Sequence, residues 1–222
     1  MYNITFEKND GVIPFFYEVE EGSIWSVEFS KNFFLTFIYQ YIAFKSRNAE
    51  YIRSSDLGDF DDAVKSAQKE GQHHLVKRIN AVKRLALNEE TNAIWRMVRN
   101  APHIIATEQN EFIVQIIDEF QYLNSEVYRD KNCQFCMNDF AAGYMKTAEY
   151  KNAPLLISGS QVGWLRSILL TMLPSRFMQY TFKNMPESES IEMIVNYSGI
   201  MDVPVNKETG KSRYHRGRIN KF

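Results

Sequence analysis

Two adjacent carboxylates, Asp118 and Glu119, end the apolar run Phe112, Ile113, Val114, Gln115, Ile116, Ile117 in FIVQIIDEFQYLN. A pair of acids on a rigid element can hold a divalent cation through water or orient and deprotonate a water molecule. Some forty residues later the shorter apolar run PLLI, Pro154 to Ile157, ends in Ser158-Gly159-Ser160, two hydroxyls that can each donate and accept hydrogen bonds. Each group has a plainer reading. Acids after a strand are commonly solvated loop residues, Ser-Gly-Ser makes an ordinary turn and helix cap, and Arg176, in LPSRF, is of a type found in surface ion pairs.

The elements that must position these groups are legible as alternating strands and helices. Val12 to Val19 reads as a first strand after the turn signal Asp10-Gly11, with Pro14 arguing against a central position. Ser30 is expected to cap a helix in which Phe33, Phe34, Phe37, Ile38, Tyr41 and Ile42 form one apolar stripe. From Asp56 to Asn100 the pattern is polar and helical, with Leu75, Ile79, Val82, Leu85, Ile94 and Val98 at spacings for burial. Phe112 to Ile117 has the composition of a strand covered on both faces. Helices are expected at about 136–149 and 161–170, and a last strand at Phe177 to Phe182. A further helix should begin at Pro186, with Glu187 and Glu189 in its first turn, and stop near Gly199. The expected fold class is α/β, a mostly parallel sheet flanked by helices, with acids at the carboxyl ends of strands, where open sheets of this kind bind ligands.

Composition bounds the function. The chain has 222 residues, 45% hydrophobic and 14% aromatic, enough for one sizeable core. A net charge of −1 gives no overall attraction to nucleic acid or to an anionic membrane. The basic tail from Lys211, with Arg213, Arg216, Arg218 and Lys221, reads as solvated and disordered, with a nucleic-acid contact as the weaker alternative. The apolar stretch Phe33 to Phe44 is too short to span a bilayer. The two cysteines of CQFC, Cys133 and Cys136, read as ordinary thiols in a reducing compartment. A cytoplasmic protein is expected. None of the four histidines has an evident partner, and no nucleophile triad or metal cluster emerges.

The ordered set IIDEFQYL, PLLISGSQVGWL, LPSRF and a capped helix resembles the prokaryotic and archaeal-type P-loop ATPases of the AAA+/STAND group, from Val12 to about Gly199. The resemblance implies an ATP-binding, ATP-hydrolysing domain that uses Mg2+. Asp118 would be the Walker B acid that holds the magnesium through water, and Glu119 would activate the attacking water. Ser158 or Ser160 would sense the γ-phosphate, and Arg176 would meet phosphate at the boundary with a helical lid. On this reading residues 1–183 form an incomplete ATPase core, 184–209 begin the lid and 210–222 are tail.

One element of the family is missing from the sequence. A P-loop needs a glycine-rich turn followed by lysine and a hydroxyl, and the only GKS, Gly210-Lys211-Ser212, has Val205 where the first glycine belongs. The expectation is therefore an ATPase fragment without Walker A, truncated at both ends and inactive alone, with neither Mg2+ nor ATP bound tightly. The alternative is a non-enzymatic protein-interaction module that keeps a degenerate ATPase fold, using self-association or a protein partner.

Overall fold

The computed structural model describes residues 9, 11–53, 58–147, 149–172, 177–178 and 186–200. The chain divides into two compact units, one through Phe177 and one from Met178, so the boundary falls a few residues before the expected start of the lid.

The first unit is built on a three-stranded parallel sheet in the order β1 (Val12–Glu18), β3 (Phe112–Asp118), β5 (Leu155–Ile157). Between β1 and β3 run the two-residue β2 (Ile24–Trp25) and helices α1 (Ser26–Ser46), α2 (Glu50–Arg53), α3 (Phe60–Lys69), α4 (His74–Leu87) and α5 (Thr91–Gln109). After β3 come a 3-10 turn at Phe120–Asn124, β4 (Val127–Tyr128) paired in parallel with β2, a 3-10 turn at Phe140–Gly143, and one turn of helix, α6 (Tyr144–Thr147). Helix α7 (Val162–Met172) follows β5. In the second unit the described element is α8 (Glu187–Ile200), with Glu187 and Glu189 in its first turn and Gly199 inside its last.

Apolar burial under α1 holds the sheet. The expected stripe Phe33, Phe34, Phe37, Ile38, Tyr41 and Ile42 is entirely buried, and Phe33 and Phe37 meet Phe15 of β1 edge-on at 5.0 and 5.1 Å. Trp95 of α5 closes the layer, its ring 5.6 Å from Phe33 and 5.5 Å from Phe29. Each such side chain removed from water contributes about 1.5–3 kcal/mol. Leu75, Ile79, Val82, Ile94 and Val98 are buried as their spacing predicts, while Leu85 is half-buried at the rim.

Four expectations change in the structure. Ser30 does not cap α1, which begins at Ser26; Ser30 lies one turn inside, buried, and its hydroxyl donates to the Ser26 carbonyl at 2.6 Å. The start is set instead by Trp25, still extended as the end of β2. Second, β3 is not covered equally on both faces. Ile113, Gln115 and Ile117 are fully buried, but Val114 and Ile116 are half-buried and Phe112 is exposed, as is Leu156 in β5. The helices between β1 and β3 cover the first face, so the alternation records a one-sided layer. Third, the helix expected at 136–149 begins late: residues 136–139 are not helical, and the 3-10 turn at Phe140–Gly143 runs directly into the short α6. Asp130 accepts from the backbone N–H groups of Gln134 and Phe135, folding CQFC into a turn instead of a helix start. Fourth, Phe177 and Met178 are not in a strand; the rest of the expected last strand, residues 179–182, lies outside the described residues, as does the basic tail.

Candidate functional site

Parallel pairing of β3 with β5 places Ile117 opposite Ile157, so Asp118 and Ser158 leave the sheet side by side. The Ser158 hydroxyl donates to Asp118 Oδ1 at 2.7 Å. Backbone bonds continue past the strand ends: Ser158 N–H donates to the Ile117 carbonyl at 3.0 Å, and Phe120 N–H to the Ser158 carbonyl at 3.0 Å. Register, not loop chance, therefore brings these two residues together.

Glu119 sits where the chain leaves the strand, with φ 50° and ψ 39°, a left-handed conformation uncommon for a residue with a side chain. Its N–H donates to Asp118 Oδ1 at 2.9 Å, which steadies this bend. The bend turns the Glu119 carboxylate toward the loop after β5, where Oε2 accepts from the Ser160 backbone N–H at 3.1 Å, from the Ser160 hydroxyl at 2.9 Å and from the Gln121 side-chain amide. The Ser160 backbone donor, with Gln121 and the Ser160 hydroxyl, holds the Glu119 carboxyl below its ordinary value. Glu119 is thus a stably ionised acceptor, suited to orient a water more than to act as a base tuned near neutrality.

Four of the five expected site residues, Asp118, Glu119, Ser158 and Ser160, converge in this way. The fifth, Arg176, lies outside the described residues. Three residues were missed. Gln121 is fully buried beneath the tip, and a Cβ at Gly159 would collide with its Oε1, so a side chain at 159 would displace the Gln121 amide. Glu18 ends β1 directly opposite Asp118 and adds a third carboxylate to the row of strand ends. The hint for Gln121 and Gly159 was present in DEFQ and SGS, but only the parallel register makes them neighbours.

A magnesium ion fits this donor set in one manner. Oδ1 of Asp118 is engaged by Ser158 and by the Glu119 N–H, so Oδ2 remains for a water of a hydrated cation; Mg2+ is commonly held by one or two carboxylates with waters and substrate phosphates completing the shell. Among the described residues no group of three or more His, Cys, Asp or Glu side chains is placed to enclose a metal by itself.

Two clefts flank the tip region. One of about 800 Å3 follows the outer edge of β1 and is lined by Phe16, Glu18, Glu20, Lys31 and Gln40. The other, of about 520 Å3, lies between Asn124, Tyr128, Cys136 and the α7 residues Trp164 and Ile168. Both cysteines are free thiols, and burial pushes Cys136 up, so it is a poor nucleophile. Among the described residues no helix is long and apolar enough to cross a membrane.

No protein-family profile, curated protein or solved structure matches this chain.

Proposed function

We propose that the ends of β3 and β5 form the metal-and-water half of an ATP-hydrolysing site of the AAA+/STAND P-loop type. The observation that carries the reading is the pairing of Asp118 with Ser158 at the carboxyl ends of adjacent parallel strands, the side of an α/β sheet on which ligands collect. In this reading Asp118 holds magnesium through water and Glu119 orients the attacking water. Ser158 or Ser160 reports on the γ-phosphate, and the small parallel sheet is the core of a P-loop domain. Bound Mg2+ would neutralise charge developing on the transferring phosphoryl group.

The 222 residues contain no glycine-rich phosphate loop, so the backbone amides and lysine that grip a triphosphate must be supplied from elsewhere. Carboxylates alone repel a polyanion. The chain by itself is therefore expected to bind Mg-ATP negligibly and not to turn it over. A fusion carrying a strand and GKT-bearing loop ahead of Val12 should gain both, read by calorimetry and phosphate release. In that fusion Glu119→Gln keeps binding and loses most hydrolysis. Tight Mg-ATP binding by the unfused chain, or full turnover in the Glu119→Gln fusion, overturns the proposal.

One observation favours a second reading, a protein-interaction module without chemistry. The sheet face bearing Phe112, Val114, Ile116 and Leu156 is partly open, with Phe112 39% and Leu156 48% exposed, whereas parallel sheets are ordinarily covered on both faces. In that case the hydrogen bonds around Glu119 serve only to lock the loop after β5.

A further inference from the structure

On α7, Trp164, Ser167, Ile168 and Thr171 recur at the spacing of one helical face, and that face lines the cleft of about 520 Å3. Tyr128 and Asn138 line it from the segment between β4 and the 3-10 turn at Phe140–Gly143. Hydrogen bonds fix this second wall: Asn124 Oδ1 accepts from Ala141 N–H at 2.8 Å, and the Cys136 thiol donates to the Asn124 and Ser125 carbonyls at 3.4 Å. Trp164 is steadied in turn by Tyr122, whose ring it meets edge-on at 6.1 Å.

Two features of the lining select a ligand. The first is charge. Glu18, Glu20, Glu28 and Lys31 line the cleft along β1, whereas no Asp, Glu, Lys, Arg or His lines this one. An ionic ligand would give up hydration here without meeting a counter-charge. The second is the state of the hydroxyls. Within the helices of this unit Ser30, Thr36, Ser46, Thr107 and Thr147 each donate to the carbonyl four residues earlier, at 2.6–3.5 Å. Ser167 and Thr171 do not, and among the described residues neither they nor the Asn138 side chain have a hydrogen-bond partner. A hydroxyl that is not spent on its own helix keeps its full capacity to donate and to accept.

We propose that this cleft binds a neutral saccharide, a monosaccharide or disaccharide. A sugar carries no charge, presents hydroxyls that each donate and accept, and has an apolar C–H face that lies flat against an aromatic ring. Ser167, Thr171 and Asn138 supply the matching neutral groups, and Trp164 and Tyr128 supply the rings, with Ile168 as apolar floor between the two hydroxyls of α7. The volume lies within the range of about 300–1,000 Å3 that small-ligand sites occupy, and a few polar groups converging on apolar and aromatic surface is their usual composition. The Cys136 thiol is turned onto the carbonyls of its own wall and takes no part. This site does not rest on the nucleotide reading of Asp118 and Glu119.

The test follows the indole N–H signals of Trp25, Trp95 and Trp164 in the full chain, assigned with Trp164→Phe, during titration with methyl glucoside, methyl galactoside, methyl mannoside, N-acetylglucosamine and maltose. At least one of these sugars should move the Trp164 signal saturably, in the millimolar range, and leave Trp25 and Trp95 in place. The double variant Ser167→Ala/Thr171→Ala should weaken that sugar by about tenfold, as expected for two lost hydrogen bonds. Alanine is the better helix former at both positions, so loss of fold does not confuse the result. Uridine, flat and neutral but with a different hydrogen-bonding edge, and sodium acetate, an anion, serve as comparisons. A Trp164 signal that saturates with none of the five sugars, unchanged affinity in the double variant, or uridine or acetate binding more tightly than every sugar overturns the proposal.

Discussion

The aromatic layer beneath α1 and the acidic tip of β3 lie within one small unit but are held by opposite means. Around Phe33 the contacts are apolar and redundant: Phe15, Tyr17, Phe29 and Trp95 all meet its ring with centroids 4.9–6.1 Å away. Around Glu119 they are polar and singular, one carboxylate oxygen taking three donors and one glycine making room for one amide. Packing of the first kind is non-directional and fails gradually with lost volume. Hydrogen bonding of the second kind depends on a few atoms and fails by position. Such a division suits a protein whose core sets the frame and whose strand ends carry polar work.

The comparison predicts unequal damage. Phe33→Ala should cost the most, about 3–5 kcal/mol of unfolding free energy by denaturant titration, because the α1 and α5 layers cannot collapse into the gap from all sides. A loss below about 1 kcal/mol would mean that the layer is far looser than its ring contacts indicate. Gly159→Ala should come next, at about 1–3 kcal/mol, from overpacking against Gln121. Its diagnostic is coupling: with Gln121→Ala also present, the Gly159→Ala penalty should largely disappear, since the obstructing amide is gone. Additive losses in the double variant would show that the tip is not the single hydrogen-bonded unit described above.

Smaller still is the expected effect at the outer edge of β1, where the Gln40 side chain accepts from Phe16 N–H at 2.7 Å and donates to the Phe16 carbonyl at 2.8 Å, standing in for a neighbouring strand. Together with Pro14, which has no N–H to offer, it blunts that edge. Gln40→Leu should cost about 1–2 kcal/mol and raise the tendency to associate, seen as concentration-dependent light scattering. Unchanged scattering would indicate that the edge is covered by other means.

Much of this frame was readable in advance because its signals are periodic. The strands expected at Val12 to Val19 and Phe112 to Ile117 and the α1 stripe follow from composition and apolar spacing, the helical stretch read from Asp56 to Asn100 divides into α3, α4 and the first half of α5, and the meeting of Asp118 with Ser158 follows once both strands are taken as parallel. What escaped was non-periodic. Ser30 is a cap-forming type, but the extended Trp25 before it starts the helix a turn early, and nothing in the local pattern reports that. Of the helix expected at 136–149 the part from Phe140 to Thr147 forms, but its start does not, because Asp130 holds the Gln134 and Phe135 N–H groups in a turn and Cys136 bridges to Tyr128, contacts that lie ahead of that window. Trp95 and Arg99 lie one turn apart on α5, but Gly143 and Tyr144, which pack against them, come from a separate segment, so that contact exists only in three dimensions.

The smallest effect concerns acid. Because Ser160 and Gln121 bond to its charged form, Glu119 has a lower pKa folded than unfolded, where the ordinary value is 4.5. Below that value the unfolded chain takes up the proton first, so stability falls as pH falls. The Glu119 contribution is fully present above pH 4.5 and is lost as pH descends through the folded value. The carboxylate is solvent-accessible and screened, so the slope is modest and should be clearest at low salt. Unfolding midpoints measured between about pH 3 and pH 6 should show a shallower acid slope in Glu119→Gln than in the parent. Ser160→Ala, which removes the hydroxyl but keeps the backbone donor, should fall between the two. Identical slopes in all three proteins would mean that the carboxylate is not held by the loop after β5, and that Glu119 is free to turn toward solvent.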